Sequence, residues 1–235
     1  MTASKNSGHH FFSGKMKMAD LLDGNPVLLG VFLRLDIGFG FGEDTVEEVC
    51  RKRNLNPETF LLICNVYSFD GYMPSAEFLR KVNLNDIVRY LRMSHAYYTD
   101  EVMLELESLI EKMIAPCDDS LKRIIRCFFM AYKDELAKHF YYEESVVFPY
   151  VSALLSHKED KSYTIGQFEE NHTNVDEKLG DLKNIVMKYM PAQCESIAVS
   201  KVLEKLFTLQ FDLEKHTSIE DNILVPAVGR LEYHE

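Results

Sequence analysis

The sequence predicts an all-α protein, an up-down-up-down four-helix bundle preceded by a small helical domain, and three observations carry that prediction. Four long stretches space their apolar residues three or four positions apart, which is the repeat of one face of an α-helix. Prolines and glycines separate these stretches by short connections, as helices folded back on their neighbours require. A shift of 77 residues carries His95 onto His172, His139 onto His216 and Glu143 onto Glu220, so one helical hairpin reads as a copy of the other.

Taken in order, residues 1–17 are polar and lack apolar periodicity, and are expected to form a flexible N-terminus, with the adjacent His9 and His10 inside it. Residues 18–67 are expected to form the small helical domain. It holds a short helix from Pro26 to Leu35, a glycine turn through Gly38, Gly40 and Gly42, and two further helices. Thr45 is placed to cap the first of these before Val46, and Asn56 to cap the second before Pro57. The glycines follow no strand and lack a phosphate-loop lysine, so they read as a tight turn needing positive φ. Residues 68–81, broken by Gly71 and Pro74, are the expected linker, and 82–235 the bundle.

Within the bundle the first helix is expected from about Asn85 to Ile114, with Ile87, Leu91, His95, Tyr98, Val102, Leu106, Leu109 and Met113 facing inward. Pro116 ends it, and Asp118 or Asp119 caps a second helix whose inward residues are Ile124, Ile125, Phe128, Phe129, Tyr132, Leu136, His139 and Glu143. A third helix runs from near Thr164 to Pro191, and a fourth from about Glu195 past Leu224. Pro149 and Pro226 fall ten residues after His139 and His216. Each removes a helical hydrogen bond, so a kink or the end of a straight segment is expected at both.

The repeated residues are the chemistry. Residues four apart on a helix lie on one face, so His139-x-x-x-Glu143 and His216-x-x-x-Glu220 each present an imidazole and a carboxylate in one direction. A carboxylate has two oxygens and can bridge two cations. Two glutamates and four histidines on inward stripes therefore describe a dinuclear metal centre with ligands His95, His139, Glu143, His172, His216 and Glu220. A buried cluster of that charge without a cation would be costly. Glu135 and Asp212 lie one turn before His139 and His216 and also repeat at the same shift. They are placed to accept a hydrogen bond from a ligand histidine and fix its orientation. Glu144 and Asp221 repeat as well, about 140° off the histidine face, and read as surface acids or as acids that orient a ligand from behind. Tyr97, Tyr98, Tyr141 and Tyr142 flank ligands and read as aromatic packing.

Composition narrows the partners. With 26 Lys and Arg against 37 Asp and Glu, the net charge is −11 and no basic cluster follows a phosphate backbone, which argues against nucleic acid. No apolar run reaches the roughly 18 residues of a membrane span, and no hydrophobic signal region follows the polar start. The expected compartment is the cytoplasm. Five cysteines with no C-x-x-C pair read as ordinary thiols rather than a disulfide framework or cluster site, a redox role being the alternative.

From about Val82 to Leu231 the chain resembles the hemerythrin-like, or HHE cation-binding, family. The residues that carry the likeness are His139-x-x-x-Glu143-Glu144 with Phe148-Pro149 and His216-x-x-x-Glu220-Asp221 with Val225-Pro226. Glutamate at both bridging positions with only four histidines is similar to the di-iron proteins that repair iron–sulfur clusters, whereas the oxygen carriers have an additional histidine. The segments Leu35 to Gly42, Thr45 to Cys50 and Leu55 to Glu58 are similar to the small domain that precedes the bundle in that repair family. One departure stands out: the family's turn carries adjacent cysteines where this chain has Gly40-Phe41. The resemblance implies two iron ions on the six ligands. It also implies a role in nitrosative or oxidative stress, either delivering iron to damaged iron–sulfur proteins or reacting with nitric oxide or dioxygen. The alternative it leaves open is reversible binding or sensing of those gases without turnover.

Overall fold

The structure is a computed structural model that describes residues 12–157, 163–171 and 176–233. Those residues are all-α: helices without a strand, and one isolated antiparallel bridge between Lys17 and Thr45. They fall into two compact units. One lies within Met1–Ser94, Pro149–Glu170 and Lys215–Glu235, and the other within His95–Phe148 and Asn171–Glu214.

The first unit opens with α1 (Met18–Gly24), α2 (Leu28–Arg34), α3 (Val46–Lys52) and α4 (Pro57–Ser68). The caps fall where the sequence places them. The Thr45 hydroxyl accepts from the Glu48 N–H while the Glu48 carboxylate accepts from the Thr45 N–H, a reciprocal pair that satisfies two orphan donors. Asn56 accepts from Thr59 N–H at 2.9 Å, with Pro57 in the first turn, where its missing donor costs nothing. Between α2 and α3 the chain turns at Gly40 (φ 91°) and Gly42 (φ 58°), left-handed positions that a side chain would strain. Buried Arg34 is held by the hydroxyls of Tyr67 (2.8 Å) and Tyr90 (2.9 Å). Within 68–81, expected as linker, Ala76–Leu79 forms a single helical turn, α5.

The helices of the bundle follow as α6 (Leu84–Tyr97), α7 (Met103–Ile114), α8 (Asp119–Tyr142), α9 (Phe148–Leu155), α10 (Ile165–Asn171), α11 (Asp176–Tyr189), α12 (Ser196–Ile219) and α13 (Val225–Glu232). Asp118 caps α8, its carboxylate accepting from Leu121 N–H at 2.9 Å. A shift of 77 residues superimposes the bounds of α8 on those of α12, and the bounds of α9 on those of α13. The duplication thus extends to where helices start and stop.

The core of the second unit is built from α7, α8, α11 and α12. Ile125, Phe129, Tyr132 and Leu136 from α8 and Val202, Leu206, Leu209 and Leu213 from α12, each set stepping by three or four, are all buried in it. Ile124 and Phe128, expected to face inward, are instead 43% and 38% exposed. Each lies one residue before a core position, and one residue is about 100° of helix rotation, enough to leave the stripe. Leu109 on α7 is only partly buried.

Candidate metal centre

The long helices do not run through the site as uniform α-helix. Five-residue π-helical turns interrupt them at Tyr98–Val102, Glu143–Val147 and Glu220–Leu224. In each, the first residue's carbonyl accepts from an N–H five residues on: Phe148 bonds to Glu143, and Val225 to Glu220. The prolines expected to kink or end their helices lie just beyond two of these turns. Pro149 and Pro226 have no N–H, so the α-helical partner of the carbonyl four residues back is missing. The backbone meets that loss by widening one turn, and each widened turn begins at a candidate ligand glutamate. Such single π-turns are rare and recur at functional sites.

Buried side chains converge there. Glu143 and Glu220 are both 0% exposed, His216 1% and His95 4%. These four each offer one ligand atom, and the four atoms all lie within 4.8 Å of one another. Glu143 divides its oxygens between two histidines, Oε2 lying 3.0 Å from His95 Nε2 and Oε1 3.0 Å from His139 Nε2. His216 Nε2 lies 3.2 Å from Glu220 Oε1. The His95 ring stacks on Phe140, with centroids 4.1 Å apart and planes 17° from parallel, and on Phe148 at 5.6 Å, so its plane is fixed by packing.

The second nitrogen of His95 shows what the site is suited to hold. Nδ1 lies 3.0 Å from Glu144 Oε1 and Nε2 3.0 Å from Glu143 Oε2, so the ring stands between two carboxylates and calls for a positive charge, either a second ring proton or a cation at Nε2. Two fully buried carboxylates ask for the same countercharge, since the cost of burying each ion is several kcal/mol. Imidazole nitrogens and carboxylate oxygens suit iron, zinc, copper or nickel. The residues therefore fit a transition-metal ion, with a carboxylate behind the imidazole, as metal-binding histidines commonly have.

Of the six expected ligands, the structure brings together His95, His139, Glu143, His216 and Glu220, while His172 lies outside the described residues. The orienting acids are placed differently. Glu135 is ion-paired with Lys178 of α11, and Asp212 is buried, with its carbonyl accepting from Tyr98 OH at 3.4 Å. The acid behind a ligand histidine is Glu144, the second of the two roles its place off the histidine face allows. At five residues from His139 it lies about 140° around the helix from that histidine's face, and that direction serves His95 on α6. Adjacent acids at Glu143-Glu144 were the signal. Among the tyrosines, Tyr98 is a core residue and Tyr141 is 73% exposed.

Comparison with known proteins agrees with this geometry. Residues 86–228 match the hemerythrin HHE cation binding domain, and the chain belongs to that family. Together with the buried histidine and glutamate group, this makes it a metal-binding hemerythrin-like protein. No curated protein and no solved structure matches the chain. Among the described residues, no helix is long and apolar enough to cross a membrane.

Proposed function

We propose that the chain is a non-haem di-iron protein of the iron–sulfur cluster repair kind, acting in the cytoplasm under nitrosative or oxidative stress. Its clients would be damaged iron–sulfur proteins, served by iron delivery or by chemistry with nitric oxide or dioxygen. His95, His139, His172 and His216 would be terminal ligands, with Glu143 and Glu220 bridging. The observation that carries the two-ion reading is the split of Glu143, one oxygen toward His95 and the other toward His139. A carboxylate serving two cations needs that division. Bound there, a pair of irons supplies a reversible redox change and open positions for a diatomic ligand. The chain's part is to hold the His95 imidazole in a fixed plane, to exclude bulk water from both carboxylates, and to set Glu144 against His95 Nδ1.

The first test is metal content per chain, by elemental analysis of protein made in iron-replete cells, beside a His139→Ala, His216→Ala variant. About two irons in the parent and a marked loss in the variant are expected for a six-ligand dinuclear site. Little iron in the parent, or equal amounts in both, would remove the basis of the proposal.

A second reading, reversible binding or sensing of oxygen or nitric oxide, is favoured by the thiols of the N-terminal region. Gly40 and Phe41 stand where the repair proteins carry cysteines, and Cys50 and Cys64 are buried. Burial pushes the Cys50 thiol up to about 12 and holds that of Cys64 well above the ordinary range, so neither is a thiolate at neutral pH. Stopped-flow mixing of reduced protein with each gas separates the readings: a reversible spectral change without consumption of gas supports binding, and steady consumption supports turnover.

A further inference from the structure

Away from the metal ligands, the same 77-residue shift carries Cys117 onto Cys194, and the structure puts these two side chains in contact, Sγ to Sγ at 3.2 Å. Cys117 lies in the turn between α7 and α8, and Cys194 in the turn between α11 and α12. The turns are built alike: Cys117 N–H donates to the Ile114 carbonyl at 2.9 Å and Cys194 N–H to the Pro191 carbonyl at 3.0 Å. Gln193 donates across to the carbonyl of Pro116 at 3.4 Å, tying the two turns beside the sulfurs. Both cysteines are buried, at 5% and 7% exposure, and both belong to the core of the second unit.

We propose that Cys117 and Cys194 are a dithiol–disulfide pair, oxidised by a peroxide and reduced by a low-molecular-weight thiol, that staples the two interhelical turns together. A disulfide needs its sulfurs at about 2.0 Å, so the pair closes by roughly 1 Å, within reach of small side-chain rotations. Cys194 is the first to react, because it lines a surface hollow of about 800 Å³ with Met187, Met190, Pro191, Ser196 and Phe207. Its sulfur, deprotonated, attacks one peroxide oxygen; the O–O bond breaks, the second oxygen leaves as water after taking a proton, and Cys194 becomes a sulfenic acid. Cys117 then attacks that sulfur, the S–O bond breaks, and a second water leaves. Two thiols and one peroxide give one disulfide and two waters. Two molecules of a small thiol reverse the change, leaving as their own disulfide.

Burial first, and then the hydrogen bond with Cys194, push the Cys117 thiol up to about 11, so the pair resists casual oxidation at neutral pH and closes faster in alkali. The proposal rests on the sulfur contact and stands independently of which metal the chain holds.

The test uses the whole chain, as parent and as a Cys127→Ser variant that removes the exposed competitor thiol. Each is treated with hydrogen peroxide, alkylated under denaturing conditions and digested without reduction. The expected product is one linked pair of peptides containing Cys117 and Cys194, lighter than the separate peptides by two hydrogens and lost on treatment with dithiothreitol. Recovery of both cysteines as alkylated thiols, or their separate oxidation to sulfinic acids, would overturn the pair. In Cys117→Ser, a dimedone adduct at Cys194 is expected. An equal adduct at Cys117 in Cys194→Ser would overturn the order of attack, and because the parent carries the main test, a variant that misfolds leaves it intact.

Discussion

Along α7 the residues Leu106, Ile110 and Met113 are all buried, whereas 77 positions later their counterparts are Lys183 and Met187 on α11 and Met190 just past its end. Met187 is half exposed. Lys183 is buried, with its ammonium 4.9 Å from the centre of the Phe207 ring. Among the buried core residues of α8, only Phe140 loses its apolar counterpart on α12, to the half-buried Thr217. Ile125 and Val202, Phe129 and Leu206, Tyr132 and Leu209, Leu136 and Leu213 are apolar and buried in both copies, and the π-turns at Glu143 and Glu220 match residue for residue. The helices that carry the histidine and glutamate pairs keep more of one pattern than their partners do. α11 still buries Leu179, Leu182 and Val186, so α7 and α11 differ in which positions face the core rather than in whether they pack there.

Breaking the like pair gives the largest effect. Glu143→Ala and Glu220→Ala are each expected to abolish most metal binding, read by elemental analysis, since each removes a fully buried carboxylate from the same group. Retention of metal in one of them would end the equivalence. The unlike pair separates next in a urea titration. Ile110→Ala is expected to cost about 2–5 kcal/mol as a core truncation, and Met187→Ala about 0.5 kcal/mol or less as a surface change. Equal losses would mean that α11 is as tightly packed as α7. A third measurement concerns the acid behind His95: Glu144→Gln is expected to weaken metal affinity about 10–100-fold, the usual effect of losing the acid behind a ligand histidine. Titration with a competing chelator reads it, and an unchanged affinity would reduce Glu144 to a surface acid.

The smallest effect comes from pH. The folded chain keeps the Cys117 proton up to about 11, while an unfolded thiol releases it near 9. Its contribution to stability is therefore intact below pH 9 and lost as pH rises toward 11, because the unfolded state binds fewer protons there. The slope of stability against pH in that window is expected to be shallower in Cys117→Ser. An identical slope in both chains would place the alkaline loss elsewhere.

Much of this was legible in the sequence because it is local or periodic. Thr45, Asn56 and Asp118 each precede a helical repeat and can bond only to the N–H groups just ahead, so their caps could be read directly. The ligand faces followed from a four-residue spacing seen twice. The π-turns were harder. Pro149 and Pro226 announce a missing donor, but whether the backbone answers with a kink, an end or a wider turn depends on packing that no local pattern encodes. The choice between a surface and an orienting role for Glu144 could not be made from the sequence, because its partner His95 sits on another helix. Ile124 and Phe128 were misread because an apolar residue beside the stripe looks like one on it. The Cys117–Cys194 contact was within reach, since it obeys the shift that found the ligands, but a cysteine count without that shift says only that no framework exists.

A residue that touches its own copy is the mark of a two-fold interface, where a patch meets itself. The Cys117–Cys194 contact is of that kind, inside a single chain. Two separate hairpins associating in this way would carry every substitution twice, once in each partner, so that neither could change alone. Joining them lifts that constraint. A lysine can stand at Lys183 in one copy while the other keeps a buried Leu106. Covalent linkage has thus given a symmetric scaffold the freedom to let its two halves diverge.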